Sequence, residues 1–300
     1  PSGEVLAVVG ESGSGKSVTA LALMRLHPPN TEITGDVEFD GMDVLALNES
    51  EMRAIRGRDI AMIFQDPMTA MNPVFTVGDL FVEAIRLHNA VSSKEAWTRA
   101  VDLLQLVGVP EPQQRAAQYP HEYSGGMRQR AMIAMAISND PKLLIADEPT
   151  TALDVTVQAQ VMEVLHDVKE ATGSAIMLIT HDLGLVAGSA DRVQVMYASR
   201  LMETGSIDDI FYRSQNPYTK ALLNSIPDLE ENQESLAAIP GNPPSLSRPP
   251  RGCAFGPRCS LAVERCVEKQ PELLTLDGAH ASRCHRANEI EVEVELEGAS

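Results

Sequence analysis

The chain has 300 residues, of which 44% are hydrophobic, and it carries a formal net charge of -18. This length and composition allow a sizeable core and more than one domain. A diffuse negative field repels a phosphate backbone, so we expect no nucleic acid among the partners. No apolar run approaches the ~20 residues that cross a bilayer, and no signal peptide is recognisable, so we expect a soluble protein in the reducing cytosol.

A glycine-rich loop follows the first predicted strand, the apolar run 5–9, and precedes a predicted helix at 18–26. The loop matches G-x-x-x-x-G-K-[ST], which wraps backbone amides around nucleotide phosphates; the alternative is a glycine-rich turn that opens an ordinary helix. We expect Lys16 to reach the terminal phosphates and the Ser17 hydroxyl to ligate Mg²⁺. The predicted nucleotide-binding residues here are Gly10, Glu11, Ser12, Gly13, Ser14, Gly15, Lys16, Ser17 and Val18.

The next elements alternate between strands and helices. Apolar runs predict strands at 37–39, 58–64, 143–146, 175–180 and 192–198. Apolar stripes with helical spacing predict helices at 76–88 and 96–107, in a helical region that separates the first strands from the later ones. Helical patterns between strands are typical of βαβ crossovers, so we expect an α/β fold with a mostly parallel sheet.

Two adjacent carboxylates, Asp147 and Glu148, end the apolar strand at 143–146. Ligands bind at the carboxyl ends of strands in open α/β sheets. Phosphoryl transfer needs one carboxylate to hold Mg²⁺ and a second group to activate the attacking water. We therefore assign Asp147 to the metal and Glu148 to general-base catalysis; the alternative is a pair of surface acids that cap the strand.

Three further positions carry weaker signals. Ser124-Gly125-Gly126 opens a predicted helix and is either a second phosphate cradle or an ordinary N-cap. His181 follows the strand at 175–180 and either donates to a γ-phosphate or packs in the core. Gln65 follows the strand at 58–64 and is a candidate to contact the metal or the water.

The C-terminal part changes in composition. A proline-rich linker is expected at 227–251, a cysteine-rich module at 252–286 and an acidic tail at 287–300. The four cysteines, Cys253, Cys259, Cys266 and Cys284, are separated by five, six and seventeen residues. This spacing leaves structural Zn²⁺, an iron–sulfur cluster and unligated thiols open.

Taken together, these motifs resemble the ATP-binding subunits of ABC transporters, in the order of that family. The matching segments are the phosphate loop, the Q-loop at Gln65, the signature Ser124 to Gln129, the strand 143–147 with Glu148, the D-loop Ala152-Leu153-Asp154 and the switch histidine His181. The resemblance implies a P-loop fold of the ABC type, in which two cassettes sandwich two ATP molecules. It implies catalytic roles for Gln65 and His181 beside Glu148, Mg²⁺ ligation by Gln65, and contact of Asp154 and the signature with nucleotide.

Other segments look like the dipeptide/oligopeptide and nickel importer branch: 64–73, 119–123, 216–219, 240–246 and 252–259. This resemblance implies ATP hydrolysis that drives di- or oligopeptide uptake at the cytoplasmic face of the cell membrane. The implied partners are a second cassette, two transmembrane permease subunits, which the residues after Gln65 would meet, and indirectly an extracellular or periplasmic solute-binding protein. The alternatives are a nickel or other solute importer ATPase of the same branch and a soluble, non-transport ABC ATPase.

The resemblance also bears on the two ends of the chain. Family members with this cysteine pattern bind a 4Fe-4S cluster, which implies the same ligands here, with Zn²⁺ as the alternative. The chain opens at Pro1 without the preceding region where cassettes usually place an aromatic side chain against adenine. We therefore expect an N-terminally truncated ATPase domain over 1–226, with a helical subdomain at about 74–140.

Overall fold

The computed structural model describes residues 2–65, 71–151, 153–226 and 239–290. The chain divides into two compact units. The first contains residues 1–4 and 17–179, and the second contains residues 5–16 and 180–300. Much of the predicted linker and most of the predicted acidic tail, including residues 291–300, lie outside the described residues.

The strands agree closely with the apolar runs, and four more occur, at 42–43, 200–206, 274–277 and 280–282. In chain order they are β1 Val5–Val9, β2 Glu38–Phe39, β3 Met42–Asp43, β4 Ile60–Ile63, β5 Leu143–Asp147, β6 Ala175–Thr180, β7 Arg192–Tyr197, β8 Arg200–Ser206, β9 Leu274–Asp277 and β10 His280–Ser282. The helices are α1 Lys16–Leu23, α2 Glu49–Ile55, α3 Val77–His88, α4 Ser93–Leu106, α5 Pro112–Ala116, α6 Gly125–Ala136, α7 Val155–Thr172, α8 Leu183–Ala187, α9 Ile207–Phe211, α10 Pro217–Leu223 and α11 Glu264–Glu268.

In the first unit, β4, β5 and β6 pair in parallel. Ile60 lies opposite Leu143, which in turn lies opposite Ala175. All four residues of β4 and the last four of β5 are buried. Burial on both faces explains why these strands have continuous apolar sequences rather than alternating ones. The parallel arrangement brings the carboxyl ends of β4 and β5, and the polar residues that follow them, to the same edge.

In the first unit, helices occur where the apolar stripes at 76–88 and 96–107 predicted them. Helix α3 is capped by Thr76, whose hydroxyl accepts from the Asp79 amide, and it buries Phe81 and Ile85. A capping box at Ser92 and Glu95 begins α4. The apolar stripes of the two helices lie against each other and against α6, so the segment forms a helical layer of its own within this unit.

In the second unit the sheet is mixed rather than mostly parallel. Strand β1 pairs in parallel with β7, whereas β7–β8, β8–β10 and β10–β9 are antiparallel. The β7–β8 and β9–β10 hairpins need only short connections, so they carry no βαβ signal that sequence patterns could reveal. The expectation of parallel pairing is therefore correct for β1 and β7 and wrong for the three strands that follow.

The cysteine-rich segment contributes to the core of the second unit. Ala254 and Phe255 are buried with Tyr197 and Tyr218, and β10 extends the sheet beside β8. The segment 252–286 is too short and has too little apolar surface to form a core of its own. A separate C-terminal module is therefore not confirmed.

Candidate functional site

The loop between β1 and α1 is shaped by two glycines. A Cβ at Gly10 would lie 2.1 Å from the carbonyl oxygen of Met196, a distance that no side chain tolerates. Gly15 has φ +98°, and a Cβ there would meet Ser199 Oγ at 3.1 Å. The loop is tied to the same neighbour by its backbone, because the Ser199 amide donates to the Ser14 carbonyl across 2.9 Å. These positions require glycine for space as well as for conformation.

Lys16 is buried at the end of this loop. Its ammonium group donates to the carbonyl oxygens of Gly10 at 2.7 Å and Glu11 at 3.1 Å, and lies 3.5 Å from Ser14 Oγ. The side chain therefore curls back over the loop and places its positive charge against the loop's carbonyl oxygens. A cation held over a glycine-rich loop is able to bind phosphate.

Ser17, the next residue in the chain, belongs to the first unit together with Asp147. The Ser17 hydroxyl donates to Asp147 Oδ1 across 2.8 Å. Asp147 is the last residue of β5 and is 4% exposed. A hydroxyl and a carboxylate oxygen at this separation are hard donors of the kind that Mg²⁺ prefers.

Glu148 has the left-handed backbone conformation, with φ +46°. Its amide donates to the Ile179 carbonyl across 2.9 Å. Both Gln65 Nε2 and Thr151 Oγ1 donate to its Oε2, each across 2.8 Å. A non-glycine residue in this conformation is strained, and such strain is concentrated at functional sites. The carboxylate is thus directed by its backbone and restrained by two donors.

Thr151 is a site residue that the sequence reasoning missed. It lies three residues after Glu148, and its amide donates to the Glu148 carbonyl, which closes a turn. A threonine at this spacing after a carboxylate is the signal that would have revealed it, because the turn returns its hydroxyl to the acid.

The signature and D-loop residues stand at two neighbouring helix N-termini in the first unit. Ser124 caps α6 by accepting from the Met127 amide, and Asp154 caps α7 by accepting from the Val157 amide. The two ends line one cavity of about 500 Å³, which also exposes Gly125 and Gly126. Helix N-termini and glycine amides favour an anion, so the cavity suits a phosphate-bearing ligand. Ala152 lies outside the described residues.

His181 follows β6 directly and is exposed. The neighbouring Asp182 caps α8, since its carboxylate accepts from the Gly184 amide across 2.8 Å. The residue therefore occupies the position at a strand end that the sequence predicted. Residues 66–70, which follow Gln65 and carry part of the importer resemblance, lie outside the described residues.

The prediction of a metal centre at the cysteines is wrong. Among the residues that the structure describes, which include all four cysteines, no group of three or more His, Cys, Asp or Glu side chains is placed to hold a metal ion. The cavity that the four cysteines line measures about 20 Å³, which is room for about one water molecule. Burial raises the pKa of the Cys253, Cys259 and Cys284 thiols, that of Cys284 to about 11. The neutral thiol is thereby favoured over the thiolate that ligates metals, and neither a 4Fe-4S cluster nor Zn²⁺ is assigned.

Comparison with known families decides the kind of protein. A family model described as "ABC transporter" matches residues 1–151, just over half of the chain. The chain belongs to the ABC transporter family. A second model, described as the oligopeptide/dipeptide transporter C-terminal region, matches residues 202–266 of this ABC ATPase. The resemblance that the motifs indicated is therefore confirmed.

Curated relatives cover nearly the whole ABC ATPase. A protein named "Probable peptide ABC transporter ATP-binding protein" from Sinorhizobium fredii is 53% identical over 292 residues, which is 96% of this chain and 87% of the relative. The oligopeptide transport ATP-binding protein OppD of Bacillus subtilis is 52% identical over 281 residues, covering 93% of this chain and 78% of the relative.

Solved structures confirm the ABC ATPase fold. A dimeric ATP-binding cassette in a post-hydrolysis state with ADP and phosphate superposes with a TM-score of 0.61 at 27% identity, covering 69% of this chain and 87% of that one. A component of an ABC transporter complex from Clostridium perfringens superposes with a TM-score of 0.59 at 26% identity, covering 70% and 80%. In the described part of the ABC ATPase, no helix has the length and apolar character of a membrane span.

Proposed function

We propose that this ABC ATPase is the subunit whose ATP hydrolysis powers uptake of di- and oligopeptides through a membrane permease complex. The proposal rests on the hydrogen bond between Ser17 and Asp147. Ser17 directly follows Lys16, the buried lysine of the phosphate loop. The match of residues 202–266 to the oligopeptide/dipeptide transporter region supports the peptide substrate.

The phosphate loop binds the nucleotide. Its backbone amides and the N-terminus of α1 direct partial positive charge at the phosphates. Lys16 exchanges its contacts with the Gly10 and Glu11 carbonyls for contacts with the terminal phosphate oxygens. The remaining predicted loop residues, Ser12, Gly13, Ser14, Gly15 and Val18, belong to the same proposed nucleotide site.

Ser17 and Asp147 would hold the Mg²⁺ ion that accompanies ATP, with Gln65 as a further oxygen donor. The donor set fits, because a hydroxyl and a carboxylate that lie 2.8 Å apart supply hard oxygen ligands. When bound, the ion neutralises negative charge on the β- and γ-phosphates.

Glu148 acts as the general base in hydrolysis. A water oxygen attacks the γ-phosphorus, the bond from that phosphorus to the β-bridging oxygen breaks, and Glu148 accepts the water proton, which gives ADP and phosphate. Gln65 and Thr151 hold the carboxylate in position through their hydrogen bonds to Oε2. His181 donates to the γ-phosphate and stabilises the charge that develops there.

A second cassette completes the site. The N-terminus of α6 with Ser124, Gly125 and Gly126, and that of α7 with Asp154, face one cavity from the same unit. In the proposed dimer these groups contact the ATP held by the partner's phosphate loop. The dimeric state of one of the similar solved cassettes supports this arrangement.

A methionine-rich groove in the first unit is the proposed docking surface for the permease. It measures about 330 Å³, and its walls include five methionines as well as the exposed Phe64 and Leu87. Methionine side chains adapt their shape, which suits a partner helix. Phe64 and Met71 flank the segment after Gln65, which supports the prediction that this segment meets the permease. The cassette would thus lie at the cytoplasmic face of the membrane.

Detergent extraction of membranes that contain the tagged full-length chain tests the proposal. We expect two permease subunits and a second cassette to co-purify, and ATP hydrolysis to rise when a peptide-loaded solute-binding protein is added to the reconstituted complex. Recovery with ribosomal RNA or DNA and without membrane subunits would contradict it. If nickel stimulates hydrolysis and peptides do not, the transported substrate is nickel and the peptide assignment is wrong.

A further inference from the structure

Arg258 lies in the cysteine-rich segment, and its side chain is 5% exposed. Nε donates to the Pro240 carbonyl at 2.8 Å. Nη1 donates to Glu11 Oε2 at 2.7 Å and to Tyr197 Oη at 3.1 Å, while Nη2 donates to Glu11 Oε1 at 2.9 Å and to the Ile239 carbonyl at 3.1 Å. A guanidinium group has five N–H donors, and each of the five has an acceptor here.

Glu11, the carboxylate that Arg258 grips with two parallel hydrogen bonds, is the second residue of the phosphate loop. Its amide donates to Tyr218 Oη across 3.0 Å. Its carbonyl accepts from the Ser14 amide and from Lys16 Nζ, both across 3.1 Å. A displacement of Glu11 would therefore move the backbone atoms that set the shape of the loop and the position of its lysine.

Aromatic rings surround this ion pair. The ring centroids of Tyr197 and Tyr218 are 4.6 Å apart. The ring centroid of Phe255 lies 5.5 Å from that of Tyr197 and 5.2 Å from that of Tyr218. The Arg258 guanidinium carbon lies 5.7 Å from the centroid of Tyr197 and 6.0 Å from that of Phe255. Because these rings exclude water, the charges attract each other more strongly than they would at the surface.

The sign of the charge on Glu11 matters for the loop. A lone carboxylate at this position would repel the phosphates of a nucleotide, and because the Glu11 side chain is only 24% exposed, solvent screens that repulsion less than at the open surface. The bidentate arginine both cancels the charge and fixes the carboxylate.

We propose that Arg258 is a positioning residue of the phosphate loop: the cysteine-rich segment reaches the loop through Arg258, neutralises Glu11 and holds it in the geometry that accepts nucleotide phosphates. This inference rests on the nucleotide binding proposed above. It gives the segment a role at the nucleotide site that needs no metal.

A general stabilising role of the segment is the competing explanation, and Arg283 provides the matched control. Arg283 lies in the same segment and donates to the carbonyls of Leu201 at 2.8 Å and Pro271 at 3.1 Å, which lie outside the phosphate loop. Replacing either arginine by glutamine removes a partly buried cation, but only Arg258→Gln removes the partner of Glu11.

The test is calorimetric titration of MgADP into the full-length wild type and into four variants: Arg258→Gln, Glu11→Gln, the double variant and Arg283→Gln. We expect Arg258→Gln to raise the Kd at least about tenfold and the double variant to recover at least about threefold of that loss, because the unpaired charge is gone while the two-pronged contact is still absent. Arg283→Gln should stay within about threefold of wild type, whereas Glu11→Gln, which breaks the same two-pronged contact without leaving an unpaired carboxylate, should raise the Kd by less than Arg258→Gln does. In steady-state ATP hydrolysis, Arg258→Gln should raise KM and leave kcat at saturating ATP nearly unchanged.

A wild-type Kd for Arg258→Gln, or a double variant that binds as weakly as Arg258→Gln, would overturn this inference and leave the proposed function intact. A wild type that binds no MgADP would remove the proposed function and this inference with it. If Arg258→Gln does not fold, Arg258→Lys replaces it. This variant keeps the charge but loses the two-pronged geometry, so the Kd should rise at least about threefold, and an unchanged Kd would overturn the inference.

Discussion

The side-chain amide of Gln65 donates to the carboxylate of Glu148 across 2.8 Å, although the two residues are 83 positions apart. The parallel pairing of β4 with β5 produces this contact, because Gln65 and Glu148 each follow the carboxyl end of one of these strands. The amide of Gln65 is a neutral donor, so it restrains the carboxylate of Glu148 without adding a charge beside it.

Glu148→Gln should abolish turnover while nucleotide binding persists. The amide keeps the size of the side chain but cannot accept the proton of the attacking water, so we expect kcat to fall at least about 100-fold. ATP hydrolysis and MgADP titration of the full-length chain measure the two effects. The matched control is Glu163→Gln, at an exposed position on α7, which should hydrolyse ATP at the wild-type rate. Unchanged hydrolysis by Glu148→Gln would remove that residue from its assigned role.

Ser17→Ala should weaken the response to Mg²⁺ specifically. The hydroxyl that donates to Asp147 is lost, and with it one oxygen ligand, so the Mg²⁺ concentration for half-maximal hydrolysis should rise about tenfold or more. Nucleotide binding measured in EDTA serves as the internal control and should change less than about twofold. An unaltered Mg²⁺ requirement would exclude Ser17 as a ligand.

Gly10→Ala should damage the phosphate loop. The added methyl group would lie 2.1 Å from the Met196 carbonyl oxygen, so the loop must shift, and we expect MgADP affinity to fall about 100-fold together with a lower Tm. Gly41→Ala is the control, because Gly41 has φ +76° but open space around its Cβ. It should lose ~1 kcal/mol of stability from the left-handed conformation alone and keep its affinity. Equal affinities for the two variants would contradict the steric argument.

Cys284 should behave as a poorly reactive thiol in the folded chain. Burial raises its pKa from the ordinary 9.0 to about 11, so at pH 8 its thiolate fraction falls about 100-fold below that of the unfolded chain. The protonated thiol is the form the fold favours. The stabilisation that the fold gains from a protonated Cys284 is therefore fully present below pH 9 and is lost as the pH rises through about 11.

Iodoacetamide alkylation, followed by peptide mass spectrometry, measures this shift. In the native chain the rate at Cys284 should still be rising at pH 10, whereas in urea it should level off near the ordinary pKa. A native rate that levels off below pH 9 would show an ionised thiolate and contradict the assignment of a neutral, buried thiol.

The sequence correctly predicted the elements whose signals are local. Apolar runs located β4, β5, β6 and β7 to within two residues, and the periodic segments at 76–88 and 96–107 correspond to α3 and α4. It failed where the signal was compositional. The four cysteines suggested a metal centre, but burial among apolar side chains left them as thiols around a cavity of about 20 Å³. Cysteine spacing does not determine where the sulfur atoms lie.

By itself the sequence determined the phosphate loop, the strand that ends at Asp147, and the family, because each motif consists of contiguous residues whose local conformation follows from glycine, helix-cap and strand preferences. Only the tertiary structure determined that Gln65 and Thr151 share one oxygen of Glu148, and that Arg258 reaches Glu11 from 247 positions away. The physical reason is that strand pairing and side-chain packing bring such residues together. Which residues become neighbours depends on how distant parts of the chain pack together, and no local pattern of residues encodes that packing.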